Sequence, residues 1–138
     1  LDRLSPQAEK NGVTMSLSGE SAVLIGVRPM LEEMIFNLCD NAVKYNRPGG
    51  KVHVSLSKTP EQIVLTVADT GIGIPAAHQS RIFERFYRVD KSRARTEGGY
   101  GLGLAIAQSI VRIHHAKISV ESNPGAGTTF TIIFAAIP

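Results

Sequence analysis

The segment Glu33-Met34-Ile35-Phe36-Asn37-Leu38-Cys39-Asp40-Asn41-Ala42-Val43-Lys44-Tyr45 carries two patterns at once. Apolar residues at Met30, Leu31, Met34, Ile35, Leu38, Ala42 and Val43 recur at helical spacing. Pro29 suits a first helical turn, and Pro48-Gly49-Gly50 ends the pattern, so a helix is expected from Pro29 to about Tyr45. On that helix Asn37 and Asn41 fall one turn apart on one face, with Lys44 a further turn along. Amide oxygens so placed suit a hard cation such as Mg2+. A merely solvated polar face is the other reading of the helix taken alone.

Working outward, Leu1 to Lys10 reads as the tail of a helix, and Val13 to Leu17 and Val23 to Ile25 as short strands. Lys51 to Ser57 alternates, with Val52, Val54 and Leu56 on one face, and Gln62 to Ala68 is rich in β-branched residues. The two form an expected hairpin across residues 58–61. A short helix is expected around Ser80 to Phe86 and a longer one from Leu102 to Ile113. Lys117 to Glu121 and Thr128 to Ala135 read as a last hairpin around Pro124-Gly125-Ala126-Gly127. Helices on one face of a mixed sheet follow from this order, an α+β architecture.

The 138 residues, 43% hydrophobic and 20% charged, suit one globular domain spanning 1–138. With a single cysteine, Cys39, neither a disulfide framework nor a cysteine zinc site is available, and a reducing cytosol is the expected setting. No apolar run approaches the roughly 20 residues of a membrane helix. Because the chain begins at Leu1, it is read as a fragment of a longer protein.

The net charge of +3 is concentrated. Residues 81 to 97 hold Arg81, Arg85, Arg88, Lys91, Arg93 and Arg95 against Glu84, Asp90 and Glu97, whereas nine basic residues face nine acidic ones elsewhere. This stretch is either a solvated loop or an attractor for a polyanion such as a triphosphate. Nucleic acid is not the expected partner, since no groove-reading motif accompanies the charge.

Gly98-Gly99-Tyr100-Gly101-Leu102-Gly103-Leu104 lacks the Gly-Lys-Ser/Thr ending of a Walker A loop. Alone it reads as a hinge; leading into a helix, it offers backbone N–H groups to phosphate oxygens. Residues 87–100 are then expected to form a lid. Asp69, at the end of a strand and before Thr70-Gly71-Ile72-Gly73, is either a turn cap or a hydrogen-bond acceptor for a base.

The ordered set resembles the ATP-binding catalytic domain of bacterial sensor histidine kinases. Residues 33–45 are similar to its N box, Asp69 to Pro75 to the G1 box, Ile82 to Arg88 to the F box, Gly98 to Leu104 to the G2 box, and Gly125 to Thr128 to the final glycine turn. The resemblance implies a Bergerat-type two-layer α/β sandwich, a mixed and mostly antiparallel sheet of about five strands on about three helices. It implies that ATP and Mg2+ bind, with Asn41 as the metal ligand, and that Asn37, Lys44 and Arg88 assist phosphoryl transfer. Tyr45, Asp69, Gly71, Gly73, Ile74, Gly99, Tyr100, Gly101, Leu102, Gly103, Leu104 and Thr128 would line the nucleotide, with Asp69 accepting a hydrogen bond from the adenine amine. Guanine would instead set a carbonyl against that carboxylate.

In gyrase-type relatives a carboxylate lies four residues before the metal asparagine and activates water. Here that position is Asn37, and an amide cannot act as a general base. A neutral histidine already offers a lone pair at pH 7. The resemblance therefore implies a donor for a histidine on a separate phosphoacceptor domain of the same parent kinase, with a response regulator further downstream. His53, His78, His114 and His115 lack the sequence around a phosphoacceptor histidine and read as structural. The fragment is expected to be monomeric and cytoplasmic, the parent a homodimer anchored in the inner or plasma membrane. An anti-sigma-type serine kinase and a degenerate nucleotide-binding pseudokinase are the alternative readings. Departures from the family pattern are His114-His115-Ala116 where His-Gly-Gly is usual, Gly26-Val27 where Gly-Asp is common, and Tyr100 where a small residue is frequent.

Overall fold

The computed structural model describes residues 12–19, 26–84 and 103–135. Their elements are β1 (Thr14–Gly19), α1 (Arg28–Lys44), β2 (Lys51–Lys58), β3 (Gln62–Asp69), α2 (Ala76–Gln79), α3 (Gly103–Ile113), β4 (Lys117–Asn123) and β5 (Gly127–Ala135). The strands form one sheet in the order β1-β2-β3-β5-β4. β1 runs parallel to β2, and every other pairing is antiparallel. This is the mixed, mostly antiparallel sheet expected, with its helices on one side.

Alternation along the strands decides which side. Val52 and Val54 of β2, Ile63, Leu65 and Val67 of β3, and Phe130, Ile132 and Phe134 of β5 are buried on the same face. Against them pack Met34, Leu38, Cys39, Ala42 and Val43 of α1 and Ala107, Ile110 and Val111 of α3. The opposite face is largely polar, with Val64 and Ile133 paired on it as apolar residues. Ser18, Ser55, Thr66, Thr131 and Ser119 stand in register as a row of hydroxyls across all five strands, and Ser55 and Thr66 hydrogen-bond to each other. An apolar layer would gain little on such a face, so the helices collect on the other.

Two local features differ from expectation. A short helix lies at Ala76–Gln79, immediately after Pro75 (φ −57), and the described part of the expected Ser80 to Phe86 helix, residues 80–84, is not helical. Residues 81–84 instead turn through i→i−3 bonds, Arg81 N to His78 O and Glu84 N to Arg81 O, with Arg81 ion-paired to Glu84. This tighter winding seats Ile82 in the core and Phe83 edge-on to Phe130. At the end of α3, His115 adopts φ +56 where the family pattern has glycine. Ala116 N bonds to Val111 O and His115 N to Arg112 O, the paired bonds of a Schellman cap, so the turn forms despite the side chain. The helix expected at Leu1 to Lys10 and the strand at Val23 to Ile25 lie outside the described residues.

Candidate functional site

The site is assembled along α1. No side chain caps its start, and the Val27 N–H donates instead to Nε2 of His114 at 3.0 Å. Nδ1 of His114 lies 2.8 Å from the Ile110 carbonyl, so one ring nitrogen donates while the other accepts. This joins the first turn of α1 to the last turn of α3.

Further along, Asn37 meets the start of α3. A Cβ placed on Gly103 would stand 3.7 Å from Asn37 Oδ1. Asn37 Nδ2 is buried and has no partner among the described residues. An unsatisfied buried donor costs about 1–3 kcal/mol. It sits beside a helix N-terminus, where backbone N–H groups also lack intrahelical acceptors. Phosphate oxygens complement both sets of donors.

Asn41 follows one turn later and is half-buried. Lys44, expected at the triphosphate, has Nζ 3.1 Å from Asp40 Oδ2, with both side chains largely covered. Its charge is therefore already opposed by a neighbour four residues back. Among the described residues no cluster of three or more His, Cys, Asp and Glu side chains gathers at a metal position. Cys39, between the asparagines, points into the core, and burial pushes its thiol up to about 11, so it stays protonated and packs as a small hydrophobe.

At its other end α1 delivers Tyr45 to the loop after β3. The Tyr45 carbonyl accepts the Ile72 N–H at 3.2 Å and lies 2.5 Å from where a Cβ on Gly71 would be. Gly73, at φ +74, would drive a Cβ to 2.3 Å from the Asn123 carbonyl. Gly71 and Gly73, expected to line the nucleotide, let the loop approach α1 and the β4–β5 turn. Eight residues separate Asn37 from Tyr45, about 12 Å of helix. One helix thus borders donors suited to phosphates at Asn37 and a carboxylate-bearing loop at Tyr45.

That carboxylate is Asp69. Its Oδ1 accepts the Gly71 N–H at 2.9 Å and the Thr128 N–H at 3.2 Å. Oδ2 makes no hydrogen bond among the described residues and remains available as an acceptor. Burial raises the pKa of Asp69 above that of an ordinary aspartate, and the two backbone N–H groups only partly oppose the rise. Ile74 is pinned from both sides: its N–H donates to Ser122 Oγ at 2.7 Å, and its carbonyl accepts from Gln79 Nε2 at 2.9 Å. Asp69, Gly71, Gly73, Ile74 and Thr128 are therefore brought together, while Asn37 meets Gly103 with Leu104 beside it in the core. Arg88, Gly99, Tyr100, Gly101, Leu102 and the lid expected over 87–100 lie outside the described residues.

Sequence reasoning missed Ser122, Gln79 and Arg47. Ser122 had a signal, since it follows Ile118 and Val120 on the inward face of β4, where an apolar residue is expected. It pairs with buried Thr128, their hydroxyl oxygens 2.8 Å apart. Arg47 donates from one nitrogen, Nη2, to the carbonyls of Gly71 and Gly125, each at 2.8 Å. Nothing in its local sequence marks that role. Of the four histidines read as structural, His53 lies between the hydroxyls of Ser16 and Ser18, and His114 joins the start of α1 to α3.

Residues 26–137 match the family described as histidine kinase-, DNA gyrase B- and HSP90-like ATPases. The chain is 43% identical over 120 residues to the sensor histidine kinase RppB of Synechocystis, covering 87% of this chain and 26% of that protein. It is 43% identical over 130 residues to the heme sensor protein HssS of Staphylococcus saprophyticus, covering 94% and 27%. The chain spans about a quarter of the length of these relatives. Among solved structures, the mycobacterial sensor histidine kinase MprB superposes with TM-score 0.83 at 30% identity, over 99% of this chain and 93% of that one. Full-length ShkA in complex with AMPPNP superposes with TM-score 0.81 at 26% identity, over 99% and 28%. With residues 26–137 matching its model and the fold superposing on a solved sensor histidine kinase, this chain belongs to the family of histidine kinase-, DNA gyrase B- and HSP90-like ATPases.

Proposed function

We propose that this chain binds ATP with Mg2+ and delivers the γ-phosphoryl group to a histidine on a separate phosphoacceptor domain of its parent kinase. The observation that carries this reading is Asn37: a buried N–H donor without a partner among the described residues, beside a helix N-terminus, at the position where the resemblance implies a carboxylate in hydrolytic relatives. The site thus favours an oxyanion and lacks, at that position, a base for activating water. The likeness to a kinase solved with AMPPNP supports the same ligand class.

Asp69 Oδ2 accepts from the adenine amine, and the start of α3 with Asn37 Nδ2 donates to phosphate oxygens. Asn41 provides the side-chain oxygen suited to Mg2+, which when bound neutralises phosphate charge; one protein ligand suffices because Mg2+ keeps several waters. The incoming imidazole nitrogen uses its lone pair to form the N–P bond as the bond from the γ-phosphorus to the β,γ-bridging oxygen breaks, and ADP leaves. The chain's contribution is alignment and charge stabilisation. The parent is read as a membrane-anchored homodimer whose phosphohistidine serves a response regulator.

The test is phosphotransfer from γ-labelled ATP with the fragment plus either a separately expressed histidine-bearing helical domain or a serine-bearing regulator. Label on the histidine domain is the expected result. Label on the serine protein would reassign the chain as a serine kinase, and ATP binding with transfer to neither would make it a binding module.

A further inference from the structure

We infer that Arg47 is the positioning residue for Asp69, setting the orientation of the carboxylate that reads adenine. Asp69 Oδ1 receives two N–H groups from distant segments: Gly71 in the loop after β3, and Thr128 just after the β4–β5 turn. Arg47 Nη2 donates to one carbonyl in each segment, Gly71 and Gly125. Gly125 N–H in turn donates to the Ile72 carbonyl at 2.8 Å, closing the two segments on each other. One guanidinium nitrogen thus clasps the pair of strands' ends whose separation decides whether Asp69 Oδ1 keeps both donors and leaves Oδ2 free.

Arg47 is itself held. Its own N–H donates to Oδ1 of buried Asn46, whose Nδ2 donates to the Lys51 carbonyl. The clasp therefore originates at the end of α1, the helix that carries Asn37 and Asn41, and couples base recognition to the phosphate end through one rigid element. Carbonyls bonded to a cationic donor are held more strongly than by a neutral one. Removal of the guanidinium leaves the solvated turn free to separate from the loop while the apolar core stays intact.

This inference rests on the adenine-binding role proposed for Asp69. The experiment titrates ATP, ADP and GTP into the wild-type fragment and into Arg47→Ala, Arg47→Met, Arg47→Lys and Asp69→Asn, with amide NMR spectra of each. Arg47→Ala and Arg47→Met are expected to weaken ATP and ADP by the same factor, on the order of tenfold, with GTP affinity unmoved, so that the preference for adenine narrows. Arg47→Lys is expected to recover most of the loss, because an ammonium also has enough N–H groups for two carbonyls. The Gly71 and Thr128 amide resonances should shift together in the Ala and Met variants. Unchanged ATP affinity in Arg47→Ala and Arg47→Met, while Asp69→Asn weakens it, would overturn the role of Arg47 alone. Equal loss for ATP, ADP and GTP would do the same, since it marks a merely structural effect. A wild-type fragment that binds no adenine nucleotide would overturn the nucleotide reading and this inference with it.

Discussion

At the scale of single residues, Asp69 pairs two demands that oppose each other. The adenine recognition proposed for it needs an ionised carboxylate, whereas burial favours the neutral acid and raises its pKa. A group whose folded pKa lies above its unfolded one contributes stability at low pH that is lost as pH rises through the folded value. Ionised Asp69 therefore opposes folding at neutral pH, the state in which the proposed function would use it. Asp69→Asn should leave the melting temperature at pH 7 unchanged or higher, because an amide oxygen still accepts from Gly71 and Thr128, yet weaken ATP and ADP alike; calorimetric melts and titrations check both. In the wild type, adenine affinity should fall on acidification at a pH above the ordinary aspartate range, a transition that Asp69→Asn should not show. Asn41→Ala should act differently, reducing Mg2+-dependent ATP binding while sparing ADP measured without the metal.

At the scale of elements, α1 and α3 with the turns around them carry the candidate site, and their weak points are visible. His115 holds the left-handed C-cap of α3 with a side chain that strains this conformation. His115→Gly should stabilise the domain by about 1 kcal/mol, read as a higher denaturation midpoint with unchanged m-value. Gly127 is the opposite case: at φ +127, a Cβ would fall 2.0 Å from the Asp69 carbonyl. Gly127→Ala should cost more than about 2 kcal/mol and disturb the Thr128 bond to Asp69. Leu38, fully buried on α1 one residue after Asn37, should cost about 2–5 kcal/mol when truncated to Ala, measured by the same denaturation.

At the scale of the whole molecule, the sheet order brings sequence-distant segments to one edge of the helical layer. β3 lies between β2 and β5, so Asp69 pairs opposite Thr128, 59 residues away. The apolar alternation of the strands and the spacing along α1 made this two-layer arrangement legible before any coordinate, because burial of one face is written locally. The Asn37–Gly103 meeting was legible only as an ordered set of motifs. Since no histidine of the chain carries phosphoacceptor surroundings, the fragment should bind ATP yet form no phosphohistidine on its own. Acid-labile phosphate on the purified chain after incubation with labelled ATP is the measurement that checks this.

The sequence by itself determined α1, α3 and the strands β2 to β5, the face each buries, and the residue types available to a nucleotide: an amide at position 37, a carboxylate at 69, glycines before α3. Those follow from periodicity and side-chain chemistry, which are properties of short stretches. Only the tertiary structure decided why Gly71 and Gly73 are glycines, that Ser122 pins the Ile74 N–H, and that Arg47 clasps two loops. Each of these depends on backbone groups from segments far apart in the chain, and a carbonyl or an N–H has no signature in a sequence until the fold brings a side chain to it.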